Sequence, residues 1–361
     1  LSLTRADEVA SFINNLSYFN IEHTENASEY IEIIGKSIDD SYIECIKKYM
    51  LRPDILSEYA SKLKLVYTPI HGAGRVPVMR VLGDMGFSSL VIVKEQELPD
   101  PDFSTVKLPN PEYAESFEIA IRYAKEIGAD VIIGTDPDAD RMGVVIRNGN
   151  NEYVPLTGNQ IGSILLHYIL SQKKATGTLP QYAYTIKSIV SSELPRAIAD
   201  SFNVEMCEVL TGFKFVGEKI HEYETDSNEH NFMFAYEESF GFLLGDYARD
   251  KDGVSASMLV AEVAAFALSK GKNLSDYLDM LYKEYGYYSE FTESKSFPGA
   301  EGMADMKALM EKMRTNLPKT LAETNVSFTD DISVATRFYA DGSSGSLKLQ
   351  KSNVLRFTLE D

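Results

Sequence analysis

The chain has 361 residues, 44% of them hydrophobic and 25% charged, the make-up of a soluble globular protein with material for more than one core. Acidic residues outnumber Lys and Arg by 54 to 35, and the formal charge of -19 argues against nucleic-acid binding and against adhesion to anionic membranes, both of which need basic side chains. The apolar stretch at 254–269 is too short to span a bilayer and contains Glu262, there is no signal-peptide pattern, and Cys45 and Cys207 form no metal or disulfide motif, so a cytoplasmic setting is expected.

In chain order, the opening segment 4–19 reads as a helix and is followed by a polar stretch around 21–30. Helices at 38–50 and 54–62 precede a short apolar strand at 63–68, and the Gly-containing turn "PIHGAGR" leads into a helix near 75–86. A strand at 89–94, a Pro-rich loop at 98–111, a helix at 112–127 and a strand at 130–135 complete a first α/β alternation. The alternation resumes with a helix at 157–172, a strand at 182–187, a helix at 192–201, a strand at 204–210, a helix at 213–223 and a strand at 231–237. Helices at 253–270 and 274–286 follow. The last part changes character, with a helix at 304–317 and short strands at 332–338 and 353–359. The expected fold class is α/β: two tandem three-layer α/β/α domains with mixed, mostly parallel sheets, plus a partial C-terminal α+β segment. The two units are similar in size but share no clear sequence identity.

The sharpest chemical signal is "TDPDADR" at 135–141, which places Asp136, Asp138 and Asp140 at alternate positions just beyond an apolar strand. Ligands of open parallel sheets gather beyond the carboxyl ends of the strands. Three carboxylates turned toward one point there suit a hard, oxygen-seeking cation such as Mg2+. A calcium EF-hand loop would need Gly at its sixth position and Glu at its twelfth; counted from Asp136, those positions hold Arg141 and Arg147. A phosphatase of the haloacid-dehalogenase type also begins with an aspartate pair after a strand, but a small hydroxyl residue is expected where Asp140 and Arg141 follow. A surface turn of capping aspartates stays open as the plain alternative.

Other strand-end loops carry weaker signals. In the turn "PIHGAGR" the Walker ending is missing, so a tight strand-to-helix connection is the simpler reading and an active-site role for His71 the lesser one. Thr211 and Gly212 open a helix after a strand and can present a hydroxyl and backbone groups to an oxygen-rich ligand. Glu237 and Ser239, two apart, can face one way and bond adjacent hydroxyls, while Lys251 precedes a long helix, a setting that suits a phosphate. For each of these a capped helix start or a solvated charge run is the alternative.

Taken together, "TDPDADR", "LTGFKFVGEKI", "YEESFG" and "DKDGVSA", in that order and spacing, resemble the α-D-phosphohexomutases, most closely the bacterial α-phosphoglucomutases and related phosphomannomutases. The stretches at 93–112 and 155–170 are similar to the same branch. The resemblance implies four domains around one cleft. On that pattern, 1–37 is the tail of the first domain and a linker, 38–150 a metal-binding α/β domain and 151–288 a sugar-binding α/β domain, with 289–361 the incomplete start of a fourth. It further implies Mg2+ on Asp136, Asp138 and Asp140, Arg141 beside the reacting phosphate, and sugar recognition by Thr211, Gly212, Glu237, Ser239 and Lys251.

The implied reaction interconverts glucose 1-phosphate and glucose 6-phosphate through a phosphoserine and a bisphosphate intermediate. Its partners would be hexose phosphate, hexose bisphosphate and the missing first and fourth domains of the same protein. The family's Ser-His-Asn-Pro loop, which bears the phosphoserine, and its Arg-Pro-Ser-Gly-Thr-Glu-Pro phosphate clamp do not occur in this sequence. The expectation is therefore a fragment, inactive alone. A mutase for mannose or pentose phosphates is the alternative, although Phe240 and Gly241 stand where phosphomannomutases more often end in Gly-His. A non-catalytic module for metal or sugar phosphate is the alternative of another class.

Overall fold

The computed structural model describes residues 3–17, 19, 29–293 and 295–360, so most of the polar stretch expected at 21–30 lies outside the described residues. The chain divides into two units, Leu1–Tyr288 and Ser289–Asp361.

In the first unit α1 (Leu3–Asn14) is shorter than the expected helix; the Asn15 side-chain amide turns back onto the carbonyl of Ser11 where it stops. Then come α2 (Lys36–Lys47), α3 (Pro53–Tyr59), β1 (Lys64–Thr68), α4 (Arg75–Asp84) and β2 (Ser89–Ile92). The helix expected at 112–127 is a 3-10 turn, Ala114–Phe117, followed by α5 (Glu118–Ile127), which Gly128 ends in a left-handed conformation. After α5 lie β3 (Val131–Thr135), β4 (Met142–Arg147) and β5 (Tyr153–Pro155). The strand order is β2-β1-β3-β4-β5, parallel for β1 with β2 and β3, antiparallel for the rest.

The chain continues through α6 (Gly158–Ala175), β6 (Ala183–Ser188), α7 (Leu194–Ser201), β7 (Glu205–Val209), α8 (Phe213–Thr225), β8 (Asn231–Tyr236) and β9 (Phe242–Leu244), then α9 (Gly253–Ser269) and α10 (Leu274–Tyr285). A second sheet has the order β7-β6-β8-β9, with only the β8–β9 pair antiparallel. Strands β4, β5 and β9 were not expected. β4 runs back beside β3, β5 beside β4 and β9 beside β8, so the sheets are mixed.

Both sheets are covered on two faces, which is why the central strand β3 of the first reads as an apolar run. On the first, Ala120 and Ala124 of α5 pack over Val66, Ile132 and Val145, while α4 and α9 cover the side carrying Leu65, Tyr67 and Ile133. On the second, Phe213, Val216 and Ile220 of α8 lie over Tyr184, Ile186 and Leu243, with α6, α7 and α9 opposite. Helix α9 is apolar all round because it is buried all round, touching α3, α4, β3 and β4 as well as α6, β9 and α10. Each Leu, Val or Met it buries contributes about 1.5–3 kcal/mol, so this helix welds the two sheets into one unit. Among the described residues no single helix is long and apolar enough to cross a membrane.

In the second unit, α11 (Gly299–Thr315) precedes five strands: β10 (Thr320–Leu321), β11 (Thr324–Asp331), β12 (Thr336–Tyr339), β13 (Ser344–Ser346) and β14 (Leu355–Leu359). The strand expected at 332–338 begins only at Thr336; residues 332–335 form the turn between β11 and β12. The Asp331 carboxylate accepts from the amide and hydroxyl of Ser333, and Ala335 takes a positive φ of 51, which stops the strand there. Asp330 is fully buried between Arg337 and Arg356, whose guanidinium groups hold its carboxyl below the usual range against the opposing effect of burial.

Candidate functional site

In both sheets the chain moves from the first strand to one side and then crosses back to the other. The crevice at that reversal lies between the ends of β1 and β3 in the first sheet, and between β6 and β8 in the second. The aspartates occupy the first crevice, on the hairpin loop 136–141 between β3 and β4. Ala139 adopts a left-handed φ of 59 and donates its N–H to the Asp136 carbonyl (3.0 Å), curling the loop so that its three aspartates turn together. One carboxylate oxygen from each of Asp136, Asp138 and Asp140 lies within 4.8 Å of the others.

Asp136 is the buried member, at 7% exposure, and accepts a bond from the Arg141 amide (2.9 Å). Burial pushes its pKa up, the Asp140 and Asp138 charges add to the rise, and the Arg141 amide opposes it. A carboxylate held this way is short of positive charge. Arg141 Nε stands 3.8 Å from both Asp136 and Asp140, and Lys251 Nζ is 2.9 Å from one oxygen of Asp140. The donor set fits a hard divalent cation: three converging carboxylates, one of them buried.

Of the residues expected to read a sugar, Gly212 and Glu237 meet beyond the ends of β7 and β8. Gly212 has φ 117, a value glycine adopts readily, and its N–H donates a short bond to Glu237 Oε1. Burial raises the pKa of Glu237, with the Gly212 bond opposing. Ser239 is half-buried in the Glu237 loop, and Thr211, next to Gly212, is exposed. Lys251 passes over the Phe213 ring at 5.5 Å, and its stem lies so close to Gly241 that a Cβ there would collide with it. Burial works against its charge, but Asp140 and Asp250 outweigh that and hold its pKa above the ordinary value.

The two loops are joined through backbone. Arg141 and Gly241 form an antiparallel bridge, Met142 N–H donates to the Phe240 carbonyl (3.0 Å), and Gly253 N–H donates to the Ala139 carbonyl (2.9 Å). Several residues in this seam escaped the sequence reading. Asp252 caps α9 at the amides of Val254 and Ser255 while accepting the hydroxyls of Tyr42 and Tyr247, which fixes the turn carrying Lys251. Glu238 accepts from Ser188 (2.7 Å) and Ser191 (3.3 Å), tying the loop 237–241 to the end of β6. The serines of "KSIVSS" at a strand end were the available signal. His71, by contrast, does not reach the aspartates; both its ring nitrogens are committed to Leu98 and Thr105.

Comparison with known proteins matches residues 40–149 to the phosphoglucomutase/phosphomannomutase alpha/beta/alpha domain II and residues 157–285 to domain III of the same group. A phosphoglucomutase of Staphylococcus haemolyticus is 36% identical over 359 residues, 98% of this chain and 63% of that protein, so the chain spans less than two thirds of this curated relative. Among solved structures, the Paramecium phosphoglucomutase pp63/parafusin in its open form is similar with a TM-score of 0.58 and 17% identity, covering 88% of this chain and 52% of that one. A phosphoglucomutase/phosphomannomutase family protein of Burkholderia thailandensis is similar with a TM-score of 0.54 and 18% identity, covering 80% of this chain and 54% of that one. At these identities the structural likeness speaks to the fold.

Proposed function

The chain belongs to the phosphoglucomutase/phosphomannomutase family, and from that premise we propose that it supplies the Mg2+ loop and the sugar loop of a mutase interconverting glucose 1-phosphate and glucose 6-phosphate. The observation that carries the reading is the convergence of Asp136, Asp138 and Asp140 within 4.8 Å, bridged to the loop of Glu237 and Ser239.

In this reading Asp136, Asp138 and Asp140 hold Mg2+, which when bound offsets negative charge at the phosphoryl group in transit. Arg141, anchored by its amide to Asp136, directs its guanidinium to the same phosphoryl oxygens. Glu237 accepts and Ser239 donates to neighbouring sugar hydroxyls, while Thr211 and Gly212 border the ring. Lys251, charged and partly desolvated, faces the substrate phosphate from the start of α9. The same atoms allow the sugar to bind in two orientations, because a pair of adjacent hydroxyls is read without reference to which end carries phosphate.

The 361-residue sequence contains neither a Ser-His-Asn-Pro nor an Arg-Pro-Ser-Gly-Thr-Glu-Pro stretch. The purified chain is therefore expected to bind Mg2+ in calorimetric titration and to leave glucose 1-phosphate unconverted. Asp136→Ala with Asp140→Ala should abolish the Mg2+ isotherm and leave the circular dichroism spectrum unchanged. An equal Mg2+-induced rise in melting temperature for both proteins contradicts the metal assignment, and measurable turnover by the chain contradicts the missing-loop account.

A further inference from the structure

The turn at 69–74, which the proposed function leaves without a part, lies directly behind the aspartates. We propose that it is the positioning element of the metal loop: its backbone presses on Pro137 and so fixes where Asp136, Asp138 and Asp140 point. This inference rests on the Mg2+ reading of that loop.

The turn is held in a costly shape. Ile70 and His71 are consecutive left-handed residues, with φ of 45 and 62, and for a β-branched side chain that conformation is a genuine outlier. Such strain persists only where the surroundings over-determine it. Here a hydrogen-bond chain with one consistent direction does so. Ile70 N–H donates to Thr68 Oγ1 (3.2 Å), whose hydroxyl donates to Gln96 Oε1 (2.6 Å). Gln96 Nε2 donates to Thr105 Oγ1 (3.3 Å), which leaves the Thr105 proton for His71 Nε2 (2.8 Å). His71 Nδ1–H then donates to the Leu98 carbonyl (2.8 Å), an assignment forced because that oxygen can only accept. The His71 amide closes the ring of contacts on the Gln96 carbonyl (2.9 Å). Thr68 and Gln96 are fully buried, so each link strengthens the next in a low-dielectric setting.

What this frame holds in place is backbone against backbone. A Cβ on Gly72 would lie 2.5 Å from Pro137 Cα, 2.6 Å from Pro137 O and 2.8 Å from Asp136 O, none of which can rotate away. Ala73 N–H donates to the Pro137 carbonyl (2.8 Å). A Cβ on Gly74 would meet Thr135 Oγ1 at 2.6 Å and the Tyr67 hydroxyl at 2.7 Å. Gly72 and Gly74 thus fit the residues at 135–137 with no space for a side chain, Ala73 between them adds its N–H bond, and the metal loop can curl only as far as this wall allows.

The test is Mg2+ titration calorimetry on the full chain, with melting temperature in EDTA recorded for every variant. Gly72→Ala is expected to weaken Mg2+ binding at least tenfold. Thr105→Val, which cuts the chain far from the aspartates and keeps the side-chain volume, is expected to weaken it several-fold and serves if Gly72→Ala does not fold. Thr105→Ser restores the hydroxyl and should restore wild-type affinity, and Gly83→Ala, whose Cβ meets nothing within 4 Å, should match wild type. Wild-type affinity in both Gly72→Ala and Thr105→Val, with only the melting temperature lowered, overturns the positioning role and leaves the Mg2+ reading intact. A wild-type chain with no Mg2+ isotherm overturns both.

Discussion

The two sheets follow one plan and carry different chemistry. In each, a first strand is flanked by the second on one side and the third on the other, and a fourth runs back antiparallel beside the third: β2-β1-β3-β4 and β7-β6-β8-β9. The loop after the third strand is therefore topologically the same place twice. At 136–141 it presents three carboxylates and an arginine; at 237–241 it presents two glutamates and a serine. The loops after the first strands differ as well: a strained turn backed by His71 in one, and a serine-rich turn reaching Glu238 in the other. The scaffold thus fixes where ligand groups stand, and short loops decide what they recognise. The two loops are joined by the bridge between Arg141 and Gly241, at matching points of the two plans.

The strongest way to break the comparison is to attack that seam. A Cβ on Gly253 would lie 2.7 Å from the carbonyl oxygens of both Ala139 and Arg141, which are backbone atoms of the metal loop. Gly253→Ala should destabilise the chain by about 2–3 kcal/mol in urea unfolding, in line with overpacking at a closed contact, and should weaken Mg2+ binding although the substitution lies more than a hundred residues away in sequence. Unchanged Mg2+ affinity would mean the loops are neighbours without being coupled.

That seam also marks where the sequence stopped being informative. Buried parallel strands such as β1 and β3 announce themselves as apolar runs, and the aspartate triplet is a local pattern whose meaning survives without coordinates. Strands β4 and β9 begin straight after loops of polar residues and glycine, so the apolar stretches at 142–146 and 242–244 did not stand out as separate strands. The bridge itself joins backbone groups of Arg141 and Gly241, which leaves no side-chain signature. Asp252 was hidden for another reason: its partner Tyr42 lies 210 residues upstream, and a carboxylate in a charged run looks solvated until its neighbours are known.

A gentler cut tests whether the sugar loop can be loosened alone. Glu238→Ala removes the acceptor shared by Ser188 and Ser191, both buried hydroxyls, and should cost about 1–2 kcal/mol of stability. Because Glu238 touches the second sheet and not the aspartates, Mg2+ affinity in calorimetry should stay at the wild-type value. A parallel loss of Mg2+ binding would show that the loop 237–241 transmits its position across the bridge, and the two plans would have to be treated as one element.

The finest test uses Lys251, whose side chain touches both loops. Lys251 Nζ lies 2.9 Å from Asp140, and its raised pKa keeps it charged across the neutral range, so the ammonium competes with any cation for that carboxylate. Lys251→Met keeps the stem that packs over Gly241 and Phe213 and removes only the charge. Relieving a partly buried repulsion of about 1 kcal/mol should tighten Mg2+ binding roughly fivefold. The same substitution should weaken binding of glucose 1-phosphate, which loses a cation facing its phosphate. Opposite changes in the two affinities are the signature of a group placed between a metal loop and a phosphate. If both affinities fell together, Lys251 would instead be a strut that shapes Asp140, and the metal loop would depend on the sugar domain for its geometry as much as on the turn behind it.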